Sequence, residues 1–251
     1  MREPSTTRCD MADIHSFESF AALDGEGIRY AVFFTGCPLR CAYCHNPDTW
    51  FRSGNEMTAE EVFNKIRRFK PYFRNGGGVT FSGGEPLLNS VFINEMFDLL
   101  KNEDIGYCID TSGSVELTDG VKRAVDNADM IILDIKFYDA GKYKLYTGGD
   151  IEKPLALGRY CTEKGKRLVL RTVIAPGIND TNEDVEKYAG YVSENGLKFE
   201  KYELLAFHTM GFFKYDNLKI RNPLAGTPAL EAEKLDELQK HLNETLKVKE
   251  G

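Results

Sequence analysis

The chain has 251 residues, 42% of them hydrophobic, which is enough to bury a full core and lies in the range of a single barrel domain. Its net charge of −7 leaves no basic footprint for nucleic acid, and no apolar run approaches the length of a membrane span. Met1 to Asp10 lacks the apolar core of a signal peptide, so the expectation is a cytoplasmic protein with neither nucleic acid nor membrane as partner.

Apolar, β-rich runs alternate with segments of helical period. In chain order the pattern predicts strands over Ile28–Phe34, Gly78–Phe81, Tyr107–Asp110, Met130–Ile135, Arg167–Ile174 and Tyr202–Phe207. Between them it predicts helices over Thr58–Phe69, Asn89–Asn102, Thr118–Asn127, Pro154–Lys164 and Asn182–Asn195, and a last helix from about Ala229 to Leu246. Thr58 and Glu61 stand at capping-box spacing, and Thr181 or Asn182 suits the start of the fifth helix. Leu235, Leu238, Leu242 and Leu246 give the last helix one apolar face. Six strands each followed by a helix imply an α/β fold with a parallel sheet and right-handed crossovers. Six units are too few for a closed eight-stranded barrel, and the periodicity fits both an open partial barrel and a flat doubly wound sheet. No repeat or linker divides the chain, which reads as one domain.

Cys37, Cys41 and Cys44 follow the first strand, three cysteines within eight residues. Such close thiols suit a shared metal centre better than disulfides. A C-x3-C-x2-C loop offers three soft ligands where a cubane iron-sulfur cluster takes four, leaving one iron open for chemistry. The alternative is a zinc knuckle completed by His45, but adjacent Cys44 and His45 diverge, and structural zinc sites usually draw on two separated pairs. Cys9, Cys108 and Cys161 are scattered, and Cys108 and Cys161 read as small buried hydrophobes.

The other chemical groups also fall at strand ends, where ligands gather in either βα architecture. Ser82-Gly83-Gly84-Glu85 follows the second strand, with glycines that allow close backbone approach and Glu85 fixing the turn, although flexible turns would look the same. Asp110, Thr111 and Asp134 supply hard oxygens for a small cation, or simply cap the following helices. Lys136 and Arg171 suit a carboxylate, against the alternative of a surface ion pair. His208 closes the series after the sixth strand.

The cysteine spacing resembles the cluster signature of the radical S-adenosylmethionine (SAM) enzymes. The runs Ile14–Ser19, Asp24-Gly25-Glu26-Gly27-Ile28-Arg29, Tyr43–Trp50, Gly76–Glu85, Asp110–Gly113, Leu133–Lys136, Val173–Gly177 and Glu203–His208 resemble the pyruvate formate-lyase activase family within them. The resemblance covers about His15 to Lys214. It implies a partial (β/α)6 barrel carrying one 4Fe-4S cluster on Cys37, Cys41 and Cys44. It also implies SAM contacts at Tyr43, Cys44, His45, Gly83, Gly84, Glu85, Asp134, Ile135, Lys136, Arg171 and His208. Asp110, Thr111, Asp134 and the Ile132 carbonyl resemble a monovalent-cation site for sodium or potassium, and Asp24 belongs to the loop near the peptide substrate.

The implied reaction is reductive SAM cleavage followed by hydrogen abstraction from a backbone glycine of pyruvate formate-lyase. A monomer would act in anaerobic metabolism with reduced flavodoxin or ferredoxin as electron donor. Glu26 stands where the family usually has proline, which leaves partner identity open to another glycyl-radical enzyme. Phe51 to Thr58 carries none of the extra cysteines found in many other activases, which favours the pyruvate formate-lyase type. From a different class, a non-enzymatic metal-binding or interaction module remains the alternative.

Overall fold

The computed structural model describes residues 11–21 and 25–250, the side chains of 248–250 excepted. Along the chain run β1 (Met11–Ala21), β2 (Arg29–Phe34), β3 (Glu56–Thr58), α1 (Ala59–Ile66), β4 (Gly78–Gly83), α2 (Ser90–Lys101), β5 (Tyr107–Thr111) and α3 (Asp119–Asn127). They are followed by β6 (Met130–Asp134), α4 (Ala140–Thr147), α5 (Glu152–Glu163), β7 (Leu168–Ile174), α6 (Asn182–Glu194), β8 (Lys201–Ala206), α7 (Phe212–Leu218) and α8 (Ala232–Glu250). The eight strands form one sheet in the order β3-β1-β2-β4-β5-β6-β7-β8. The α/β class and all six expected βα units are present. The strands β1 and β3 and the helices α4 and α7 were not expected.

Contacts divide the chain into two compact units. The first comprises Met1–Cys37, Thr49–Thr111 and Val115–Ile132, and the second Pro38–Asp48, Ser112–Ser114 and Leu133–Gly251. The divisions fall at the two ends of the 38–48 segment of the cysteine loop, on either side of Ser112–Ser114 and inside β6, where the sequence has no linker to announce them.

In the first unit β2 pairs in parallel with β4, from Arg29 opposite Gly78 to Phe34 opposite Gly83, and β4 pairs in parallel with β5. Ala31, Val32, Phe34, Val79, Phe81 and Ile109 are buried, as strands covered on both faces require. β1 is antiparallel to both β2 and β3, with pairing irregularities at Ile14/Ser16 and Ser19/Ala21. Thr58 caps α1 in a complete capping box with Glu61. The expected extension of that helix to Phe69 is replaced by a 3-10 segment, Arg67–Tyr72, which contains Pro71. Arg29 is buried, and its guanidinium is held by the Thr80 hydroxyl at 3.1 Å and the carbonyls of Gly76, at 2.7 Å, and Val79. That buried charge pins the start of β2 to β4.

In the second unit β7 and β8 are parallel, and α8 packs on both α6 and β8 with Leu238 and Leu242 fully buried. Thr181 caps α6 in a second capping box, with Asp184. β8 ends the sheet, and Gln239 of α8 stands in for a further strand. Its amide accepts from the Leu204 N–H at 2.7 Å and donates to the Tyr202 carbonyl at 3.0 Å.

Candidate active site

Within the first unit the parallel register of β2, β4 and β5 brings their C-terminal ends to one edge. The Gly83-Gly84-Glu85 turn there is bonded to the start of the cysteine loop: Gly84 N–H to the Phe34 carbonyl at 3.0 Å and Glu85 N–H to the Gly36 carbonyl at 2.8 Å. A Cβ on Gly84 would lie 2.2 Å from the Gly36 oxygen, so only glycine lets these backbones meet. Gly83, at φ +112°, is equally tight against Phe34. Glu85 is fully buried, and its Oε1 accepts from the Leu87 N–H at 3.1 Å and the Thr111 hydroxyl at 2.5 Å. Asp110 accepts from the Ser82 hydroxyl at 2.9 Å. Glu85 therefore fixes the turn with its side chain, leaving the glycine backbone as the surface a ligand would meet. Cys37, half-buried, follows directly after Gly36.

The rest of the cysteine loop belongs to the second unit. The Arg40 and Ala42 N–H groups bond to the carbonyls of Thr147 and Tyr146 at 2.8 and 2.7 Å, so the last turn of α4 uses its leftover acceptors to hold the loop. The Cys44 N–H bonds to the Cys41 carbonyl at 3.1 Å, closing a turn around the second and third cysteines. Cys41 is buried, and burial pushes its thiol up to about 11, against the pull of the Lys136 ammonium. A thiolate there needs added positive charge, which a metal centre supplies.

Asp134, the last residue of β6, and Lys136, two residues on, pair at 2.8 Å. Burial works against the Lys136 ammonium, but Asp134, Cys41 and Tyr43 more than offset it and raise its pKa well above normal. The Lys136 carbonyl accepts from the Tyr188 hydroxyl at 3.1 Å, with the Tyr43 hydroxyl 3.5 Å away. Both backbone groups of Ile135 are taken by β7: its N–H by the Arg171 carbonyl at 2.7 Å, its carbonyl by the Thr172 hydroxyl at 2.6 Å. Arg171 pairs with Glu203, its neighbour in register on β8, at 2.9 Å. The rings of His45 and His208 stack with centroids 3.7 Å apart. Burial and the neighbouring His208 bring His45 down to about 4, and burial lowers His208, so both are neutral imidazoles at pH 7. His45 Nε2 and His208 Nδ1 are buried without a hydrogen-bond partner, two polar atoms that a ligand would satisfy.

The expected residues thus gather in two sets: Cys37, Gly83, Gly84, Glu85, Asp110 and Thr111 in the first unit, and Cys41, Tyr43, Cys44, His45, Asp134, Ile135, Lys136, Arg171 and His208 in the second. Among the described residues no three His, Cys, Asp or Glu side chains stand together as a preformed metal cage. The fold supplies the loop and its burial, and the soft three-cysteine donor set fits an iron-sulfur cluster. Within the expected cation set, Thr111 is bonded to Glu85, Asp110 to Ser82 and Asp134 to Lys136, while Ile132 is a buried residue of β6. Asp24 and Cys9 lie outside the described residues. Cys108 and Cys161 are buried, as expected. The sequence reading missed Tyr188, Asn179, Lys214 and Tyr215, because a lone tyrosine, asparagine or lysine carries no local motif. Asn179 holds the Ala175 N–H at 2.8 Å and the Tyr188 hydroxyl at 2.9 Å, so it positions the tyrosine that supports Lys136.

Residues 31–191 match the family model of the Radical SAM superfamily. The pyruvate formate-lyase-activating enzyme of Clostridium pasteurianum is 42% identical over 238 residues, covering 94% of this chain and 99% of that one. Its counterpart from Staphylococcus epidermidis is 40% identical, covering 92% and 94%. Among solved structures, Streptococcus suis SuiB bound to S-adenosylmethionine superposes with a TM-score of 0.64 at 17% identity, over 85% of this chain and 46% of SuiB. A domain of pyruvate-formate lyase-activating enzyme from Bacteroides vulgatus gives 0.54 at 20% identity, over 68% and 95%. At these identities the two structures show a shared fold.

Proposed function

Since the chain belongs to the radical SAM superfamily and, within it, to the pyruvate formate-lyase-activating enzymes, we propose that it installs a glycyl radical on a pyruvate formate-lyase. The observation that carries this reading is the extent of the identity, which leaves almost none of the Clostridium relative without a counterpart here. Cys37, Cys41 and Cys44 are the proposed ligands of a 4Fe-4S cluster, whose chemistry when bound is reductive cleavage of SAM to methionine and a 5′-deoxyadenosyl radical that takes a hydrogen from a partner glycine.

The protein's own part is to bind, orient and exclude water. In the first unit, Gly83 and Gly84 are the proposed backbone contacts for SAM, stiffened by Glu85, and Asp110 and Thr111 are proposed cation ligands with the Ile132 carbonyl. In the second, the Lys136 ammonium, kept charged by Asp134, suits a carboxylate. Asp134 is also the proposed fourth cation ligand, for Na+ or K+. The partnerless nitrogens of His45 and His208 suit a nucleoside, and Tyr43, Ile135 and Arg171 complete the proposed contacts. Leu39 and Phe137 are buried, with the Phe137 ring 6.1 Å from that of Tyr43, apolar cover that suits the exclusion of water. Asp24 is proposed to meet the partner peptide. We place the protein in the cytoplasm as a monomer and one radical SAM domain, with reduced flavodoxin or ferredoxin as donor. Its cysteine clustering suits a reducing compartment, and among the described residues no helix is long and apolar enough to cross a membrane.

The test is anaerobic reconstitution with iron and sulfide, then incubation with SAM, reductant and pyruvate formate-lyase. The expected products are 5′-deoxyadenosine and a glycyl-radical signal in electron paramagnetic resonance, both lost in Cys41→Ala. Activity retained in Cys41→Ala would overturn the cluster assignment, and 5′-deoxyadenosine without a radical on the partner would overturn the choice of partner.

A further inference from the structure

We propose that the segment from His208 to Tyr215 braces the second half of the cysteine loop, with Tyr215 and Lys214 as positioning residues for the Cys44 ligand; this rests on reading the loop as a cluster site. Tyr215 is 1% exposed, and its hydroxyl donates to the Cys44 carbonyl at 2.9 Å. The Lys214 ammonium donates to Asn46 Oδ1 at 2.8 Å and lies 3.0 and 3.1 Å from the two Asp48 oxygens. A Cβ on Gly211 would sit 2.6 Å from the His45 carbonyl oxygen, so the two backbones touch directly. His208 stacks on the His45 ring. Residues 44, 45, 46 and 48 are each held by a residue of this one segment.

The physical consequence is specific. α7 has seven residues, too few to be stable alone, so its place is set by these contacts rather than by helix propensity. A hydroxyl donated to the carbonyl of a ligand residue offsets that oxygen's partial negative charge close to the centre, and the Lys214 cation adds in the same sense. Both favour an added electron, which is how groups beyond the ligands tune a cluster. Tyr215→Phe removes one oxygen from a buried ring and leaves the packing intact. Lys214→Gln acts at a partly exposed site and serves if the tyrosine variant fails to fold.

Two readouts separate this brace from the proposed function. In the metal-free protein, alkylation by iodoacetamide followed by peptide mapping reports how often the loop opens. Tyr215→Phe is expected to speed modification at Cys44 roughly two- to tenfold, the worth of one hydrogen bond, with buried Cys108 and Cys161 unchanged. In the reconstituted protein, iron content should match the unmodified chain, while a spectroelectrochemical titration shows a more negative reduction potential in both variants. An unchanged Cys44 rate, an equal rise at Cys108 and Cys161, or unchanged potentials would overturn the proposal. If the unmodified chain takes up no cluster, the functional reading fails while the alkylation result still decides the brace.

Discussion

Single residues at this site do their work through what a side chain would displace or hold. Gly84 is the clearest case, because a methyl group there has no room beside the Gly36 oxygen. Gly84→Ala must push the turn away from the cysteine loop, and overpacking of this kind costs about 1–3 kcal/mol. The expected outcome is a lower urea midpoint together with loss of SAM binding in calorimetry, and binding at the unmodified affinity would contradict it. The glycines, the cysteines and Glu85 were legible in the sequence because each is a residue type whose chemistry is local. Tyr188 and Asn179 were not, since the Tyr188 hydroxyl acquires its meaning only from the Lys136 carbonyl, 52 residues away, and Asn179 acquires its own through Tyr188. Arg171 belongs between these cases: the sequence named it, and the register of β7 and β8 gave it Glu203 as partner. Replacing Tyr188 by Phe removes two hydrogen bonds, one to the Lys136 carbonyl and one from the Asn179 amide, and should cost about 1–3 kcal/mol in urea unfolding. It should weaken SAM binding by loosening Lys136, measurable as a raised KM at unchanged kcat.

At the scale of elements, amphipathic period found the long helices and apolar runs found the buried strands. What it missed shares a physical cause. β3 has three residues, α7 has seven, and α4 exposes Leu145 while burying Tyr143, so none shows a regular apolar stripe. β1 is half exposed and irregularly paired, which spoils the alternation that marks a strand. These elements exist because tertiary partners hold them. The end of β8 shows the same principle, with Gln239 of α8 satisfying an N–H and a carbonyl that would otherwise invite another strand. Gln239→Ala is expected to cost about 1–2 kcal/mol in urea unfolding and to raise self-association in light scattering. Gln239→Glu, which keeps the acceptor and loses the donor, should fall between the two. A Gln239→Ala protein that stays as stable and as monodisperse as the unmodified chain would remove this role.

For the molecule as a whole, acid stability depends on carboxylates in both units. Burial pushes Asp13 and Asp184 up, but hydrogen bonds outweigh it: from Ser53, the Gly54 amide and Arg52 for Asp13, and from Thr181, Tyr138 and Lys142 for Asp184. Each therefore lies below the ordinary aspartate value of 3.8 when folded. The unfolded chain takes up protons first as pH falls, so this stability is complete above the unfolded value and declines below it towards the folded one. Asp184→Asn should lower the urea midpoint at pH 7, and the gap to the unmodified protein should narrow by about pH 3. A gap of equal size at both pH values would show that the charge is not what matters.

The sequence by itself determined the six βα units, the cluster of three thiols and the glycine turn, since periodicity, residue spacing and the lack of a Cβ are properties of short stretches of chain. Only the tertiary structure decided which groups support the cysteine loop. The last turn of α4, the Asn179–Tyr188–Lys136 relay and the brace on Cys44 join residues far apart along the chain. A hydrogen bond across that separation leaves no trace in local pattern, because its free energy depends on where folding places the second partner.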